Sequence, residues 1–193
     1  MKKLNDLCLK MIAFYQGDPK RIQHFMKVHG FARLIGEEEG LDEKTLFILE
    51  TAAYVHDIGI RPAEEKYGKE NGALQEQEGP TEAEKMLMEL GFDRTVIQRV
   101  SYLVGHHHTY ANIDGMDYQI LVEADFLVNY FENEMKPDTV RKSVGKIFRT
   151  EAGKRIAQLM FFPESSGISE TWAQDGLQEL EDFIESQGVY IRQ

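Results

Sequence analysis

The run "LFILETAAYVHDIGI", Leu46 to Ile60, constrains this chain more than any other stretch. Its apolar residues fall almost all round a helical wheel, so a helix here has little face to give to water and belongs at the centre of a bundle. Near its end sit His56 and Asp57, two residue types that resist burial. His56 shares a stripe with Leu49, Ala52 and Ala53, while Asp57 is rotated by about 100° beside Ala53 and Tyr54. Neither side chain leaves the apolar surroundings easily. A buried carboxylate without a partner costs on the order of several kcal/mol, so Asp57 must find a cation.

The rest of the chain has helical rather than alternating periodicity, and its five prolines fall at breaks or helix starts. An all-α bundle follows as the expected fold, with any metal site between central helices. Asp18-Pro19 reads as an N-cap followed by proline at the first helical position, opening a helix over 19–38. Asp42 caps a second over 43–57, ended by Gly59. Residues 62–79, rich in glycine and charge without an apolar stripe, read as a long surface loop with at most one helical turn. Helices are then expected over 80–90, 93–104, 117–133, 137–149 and 151–162. After a linker, "FPESSGIS", a last amphipathic helix is expected over 170–186. No internal repeat or composition break divides the chain, which is expected to form one domain over 1–193 with helical extensions at both ends of a core spanning 20–133.

A formal charge of −11 argues against a nucleic-acid or anionic-membrane partner. The single cysteine, Cys8, allows no intramolecular disulfide and suits a reducing compartment. The N-terminal stretch fails as a signal peptide and no run reaches the length of a membrane span, so a cytoplasmic protein is expected. A homo-oligomer stays open.

All six histidines lie in three places: His24 and His29, then His56, then His106, His107 and His108 after Gly105. His24 shares a stripe with Val28, Phe31 and Ile35 on the core side of its helix, and His29 points away. Asp125, in "ILVEADFLVNYF", shares a stripe with Tyr118, Leu121 and Asn129 in another strongly apolar helix. Taken singly, His24 reads as a core histidine and Asp125 as half of a buried ion pair. Taken together, polar groups buried on three helices are satisfied by one divalent cation. Two imidazoles and two carboxylates make a mixed N/O site that suits Mn, Fe, Co, Ni or Zn with positions left open. Such an ion activates water near neutral pH and polarises a phosphoryl oxygen.

At this point the residues resemble the HD superfamily of metal-dependent phosphohydrolases, as a small single-domain member. The resemblance rests on a first His in "RIQHFMKVHGFA", the doublet in "AAYVHDIG" and a distal Asp in "ILVEADFL". It implies His24, His56, Asp57 and Asp125 as metal ligands. Binuclear members carry a stretch like "HPEIGAEIL" with a further metal-binding His, and here "EGPTEAEKML" is similar, with Glu78 in its place. The "GHHH" run resembles their paired histidines, which puts His106 and His107 near the metals. One ion is expected, with a second if Glu78, His106 and His107 complete a site.

The function expected is a metal-dependent phosphohydrolase acting on a nucleotide or other small phosphomonoester. Asp57 would act at the metal, and Glu78 or Glu82 would serve as general acid or base, although Glu82 also suits the first turn of a helix. Arg61, Lys66 or Lys69 would draw in the phosphate, against the plainer reading of solvated loop charges. The members of this superfamily that act on guanosine tetraphosphate usually carry an acidic pair after the doublet, and the apolar residues of "HDIGIRPAEE" speak against that substrate. Two alternatives keep the fold: an HD-type di-iron oxygenase, and a metal-stabilised sensor or scaffold without catalysis.

Overall fold

A computed structural model describes residues 2–162, and among them there are nine helices and no strand. In chain order these are α1 (Lys2–Phe14), α2 (Pro19–Glu38), α3 (Glu43–Val55), α4 (Ile60–Tyr67), α5 (Gly72–Glu89), α6 (Arg94–Val104), α7 (Met116–Glu132), α8 (Pro137–Ile147) and α9 (Glu151–Phe161). The linker beyond Phe162 and the helix expected over 170–186 lie outside the described residues.

Local chemistry sets most of the starts. Asp18 Oδ1 accepts from the Arg21 N–H at 3.1 Å with Pro19 at the first helical position, and Asp42 accepts from the N–H groups of Lys44 and Thr45. The helix expected over 43–57 ends at Val55. His56 and Asp57 therefore belong to the turn that leaves α3, where successive side chains point in different directions.

Helices α3 and α7 form the centre, and α2 packs against both. Helix α6 covers α3, α5 covers α6, α1 lies on α3, and α9 lies on α7. Of the 17 residues of α7, 13 are buried, so this helix has neighbours all round and each polar group on it needs a partner. No helix among the described residues is long and apolar enough to cross a membrane.

Residues 62–79 do not form the expected loop. They hold the last six residues of α4 and the first eight of α5, joined at Gly68, whose φ of 67° is left-handed. Asn71 caps α5 by accepting from the Leu74 N–H at 2.9 Å. The core-facing stripe of α5 is Gly72, Gln75, Glu78, Gly79, Ala83, Met86 and Leu87, helical in spacing but written largely in small and polar residues. A reading of apolar periodicity passes over it. The small residues serve a close crossing. A Cβ on Gly59 would lie 2.8 Å from the Gly79 nitrogen and closer still to the Gln75 carbonyl, and one on Gly79 would lie 2.6 Å from Val104 Cγ1. Pro80, expected at a helix start, lies inside α5 against Gly105, where a Cβ would meet its Cγ at 3.0 Å. This crossing brings α5 against both the turn after α3 and the turn after α6.

Candidate metal centre

Four side chains, from α2, α7 and the turn after α3, meet at the core end of that crossing. His24 of α2 places its Nε2 3.2 Å from His56 Nε2, 3.1 Å from Asp125 Oδ1 and 3.4 Å from Asp57 Oδ2. His56 Nε2 lies 3.4 Å from Asp57 Oδ2 and 3.6 Å from Asp125 Oδ1. Ligand atoms bonded at about 2.1 Å to one ion stand roughly 3.0 Å apart along an octahedral edge and roughly 3.4 Å apart along a tetrahedral one. The observed separations match the edges of such a polyhedron.

The far sides of the rings fix which nitrogen faces inward. His56 Nδ1–H donates to the Ala53 carbonyl at 2.9 Å, His24 Nδ1–H to Glu132 Oε2 at 3.0 Å, and His107 Nδ1–H to the Val104 carbonyl at 2.9 Å. Each neutral ring then presents a bare Nε2 lone pair, as a metal ligand requires. His107 Nε2 is buried without a hydrogen-bond partner, 3.5 Å from Asp57 Oδ1. His108 uses the opposite tautomer: its Nε2–H donates to Gln75 Oε1 at 2.8 Å, and its buried Nδ1 has no partner. Orphaned acceptors facing carboxylates are what a cation would satisfy, and the residues present fit a divalent metal.

Two groups have the right spacing, His24 with His56 and Asp57, and Asp57 with His107 and His108. Asp57 belongs to both, with Oδ2 toward the first pair and Oδ1 toward His107. The membership of the second group differs from the expectation. His106 turns away, donating from Nδ1 to the Tyr102 carbonyl at 2.7 Å and stacking on the Tyr102 ring. Glu78 is held by Lys66, by the Tyr67 hydroxyl at 2.9 Å and by Gln77 at 3.0 Å. His108 takes the place expected for these, because Glu76 accepts from its backbone N–H and from the Thr109 hydroxyl and pins the turn. Three successive histidines in a turn point three ways, and their adjacency in sequence does not tell which two face the site.

The electrostatics follow from crowding. Burial works against a charge on His24, but hydrogen bonds to Asp125 and Glu132 and the charge of Asp57 outweigh it and hold its pKa up, at about 9. Burial likewise works against Asp57 and Asp125, yet His56, His107 and His24 hold the Asp57 carboxyl well below the usual range, and His24 and His56 do the same for Asp125. Without a metal, a proton shared among these groups stands in for it. His108 has no such carboxylate contact, and burial followed by the charge of His107 pushes it down to about 3.

The cluster forms the floor of a cleft of about 350 Å³. Asn71 and Gln75 of the α5 start and Asn129 and Asn133 of the α7 end line opposite walls, and Lys20 and Arg21 stand at the mouth. Arg21 is committed to a two-pronged pair with Glu64 at 2.6 and 3.0 Å. Lys20 is exposed and makes no ion pair among the described residues. None of Arg61, Lys66, Lys69, Glu78 and Glu82 lines the cleft. Helix α4, where the expectation allowed at most one helical turn, carries Arg61 to the Phe14 carbonyl and Glu65, and Lys66 to Glu78. Asn129 and Glu132 were missed among the polar groups of the site. Their signal was positional, since both continue the stripe of Asp125 at helical spacing.

With the geometry in place, the comparisons with known proteins give the family. The model of the HD domain matches residues 21–144, from the first turn of α2 into α8 and well over half of the chain. The chain belongs to the HD domain family, whose members are generally metal-dependent hydrolases of the phosphohydrolase type. No curated protein and no solved structure matches the chain.

Proposed function

We propose that this protein is a metal-dependent phosphohydrolase that releases phosphate from a nucleotide or other small phosphomonoester. The observation that carries the reading is the Asp57 carboxylate shared between two sets of inward-facing imidazole lone pairs at the floor of an open polar cleft. His24, His56, Asp57 and Asp125 would hold one divalent ion, and Asp57, His107 and His108 a second. A divalent ion in such a site supplies activated water and neutralises charge on a phosphoryl oxygen.

The chain's own residues do the rest. Glu132 and the Ala53 and Val104 carbonyls orient the imidazoles, the Tyr15 hydroxyl donates to the Asp57 carbonyl at 2.7 Å and steadies the turn, and Asn129 donates to Asp125 Oδ1 at 2.9 Å. Lys20 is the cation at the mouth that can meet a phosphate, and Asn71, Asn129 and Asn133 offer amides to the polar body of a substrate. The test is a screen of nucleotides and small phosphomonoesters with Mn, Co or Ni supplied. Phosphate release is expected, and Asp57→Asn should abolish it while the thermal melt keeps its cooperative shape. If the substituted protein works at the unmutated rate, the reading fails. If no phosphoester is cleaved and the iron-loaded protein consumes O₂, the chemistry is that of an oxygenase.

A further inference from the structure

A second cavity of about 350 Å³ opens between the loop that follows the histidine run and the end of α8, and it shares no lining residue with the cleft over the metal cluster. Its walls are Tyr110, Ile113 and Ile147, with Asn112 and the buried Gln119 between them and Lys146 and Arg149 at the edge. No acidic residue lines it. In a chain of formal charge −11, two cations on one cavity without a carboxylate are a departure that invites an anion. Neither Lys146 nor Arg149 forms an ion pair among the described residues, and the guanidinium of Arg149 uses Nη1 alone, on the Phe148 carbonyl at 3.0 Å. Lys146 also sits in the last turn of α8, where the helix dipole favours it.

The nearest acid is withheld. Glu123, behind Gln119, is fully buried and accepts from the Arg149 and Thr150 N–H groups, the Thr150 hydroxyl and Gln119 Nε2. Asn112 has a left-handed backbone, φ 59°, and its exposed amide makes no hydrogen bond with another described residue. Two cations, one open amide and an apolar wall with an aromatic ring select an anionic group on a flat or apolar body. We propose that this cavity is a binding site for a small organic anion of the phosphonate, phosphate or carboxylate class, separate from the metal site. Tyr110 is the lining residue that reaches toward the metal site. Its ring packs on that of Phe126, the neighbour of Asp125, at 5.1 Å, and its own loop descends from His107 and His108.

The experiment is calorimetric titration of the metal-free full chain with phenylphosphonate, and with inorganic phosphate for the anion alone. Stripping the metal removes the strongest attraction of the first cleft for such groups, leaves its remaining cation to the Lys20 control, and makes the result independent of whether the protein is a hydrolase. Saturable binding of one phenylphosphonate is expected, with inorganic phosphate weaker for want of the apolar body. The double substitution Lys146→Gln with Arg149→Gln should weaken binding by roughly tenfold or more, because both charge-assisted bonds go. Both side chains reach solvent, so its melting curve should match that of the unmutated chain. Lys142→Gln, on α8 but outside the cavity, and Lys20→Gln, at the mouth of the first cleft, should leave the affinity unchanged. Absence of saturable binding, equal binding by the double variant, or loss of binding in Lys20→Gln would each overturn the proposal.

Discussion

Helix α7 carries two buried carboxylates, Glu123 and Asp125, two residues apart and therefore on nearly opposite faces. Toward α9, Glu123 meets hydrogen-bond donors: two backbone N–H groups at the N-terminus of that helix, a hydroxyl and an amide. The space it fills is that of the Cβ that Gly153 lacks. Toward α2 and the turn after α3, Asp125 accepts from the Asn129 amide but otherwise meets the Nε2 atoms of His24 and His56, which are acceptors whenever the rings are neutral. One carboxylate is completed by donors of the protein, and the other still faces groups that a proton or a metal ion would have to bridge. The lesson is that a buried acid does not by itself mark a metal site. What marks it is a surrounding of acceptors.

The contrast can be broken by exchange of single atoms. The largest effect is expected for Asp125→Asn, which removes a ligand charge. Affinity for Mn should fall by about a thousandfold or more, exceeding the tenfold to hundredfold typical of an outer-shell change, while the melting temperature of the metal-free chain stays within a few degrees. Collapse of the fold instead would mean that Asp125, like Glu123, is structural. Next in size is Glu123→Gln, which turns an amide N–H toward the Arg149 and Thr150 N–H donors. Denaturant unfolding should show a loss of about 2–3 kcal/mol, with metal stoichiometry unchanged.

Glu132→Gln tests the orienting shell. The amide no longer fixes the His24 tautomer, so Mn affinity should drop by roughly 10- to 100-fold with stability preserved, and a drop as large as that of Asp125→Asn would promote Glu132 to a direct ligand. The smallest effect for a single step of change, one pH unit, comes from titration. His24, held at about 9 without metal, is protonated at neutral pH and must lose that proton to bind an ion, so affinity rises with pH. Calorimetry in buffers of different ionisation enthalpy should show proton release and an apparent affinity that climbs by up to about tenfold per pH unit between about pH 6 and 8. A flat profile would mean that the metal-free cluster is held together without that proton.

The family and the four side chains that meet at the floor of the cleft were legible along the chain because each depends on something local. Helical periodicity follows from 3.6 residues per turn, caps from a single side chain, and the paradox of His56 and Asp57 from the apolar run around them. The helices over 62–79 were not legible, because the stripe of α5 is made of glycine, glutamine and glutamate, whose burial makes sense only against Gly59 and Val104. The same crossing decided the remainder of the site. It sends Lys66 to Glu78, leaves Arg61, Lys69 and Glu82 off the cleft, and brings Gln75 to His108. The sequence by itself determined which residue types lie in the core and which polar ones among them would be drawn together there. Only the tertiary structure decided which nitrogen of each ring faces inward, which two of three consecutive histidines join Asp57 and which lysine stands at the mouth, because those depend on partners contributed by elements far apart in the chain.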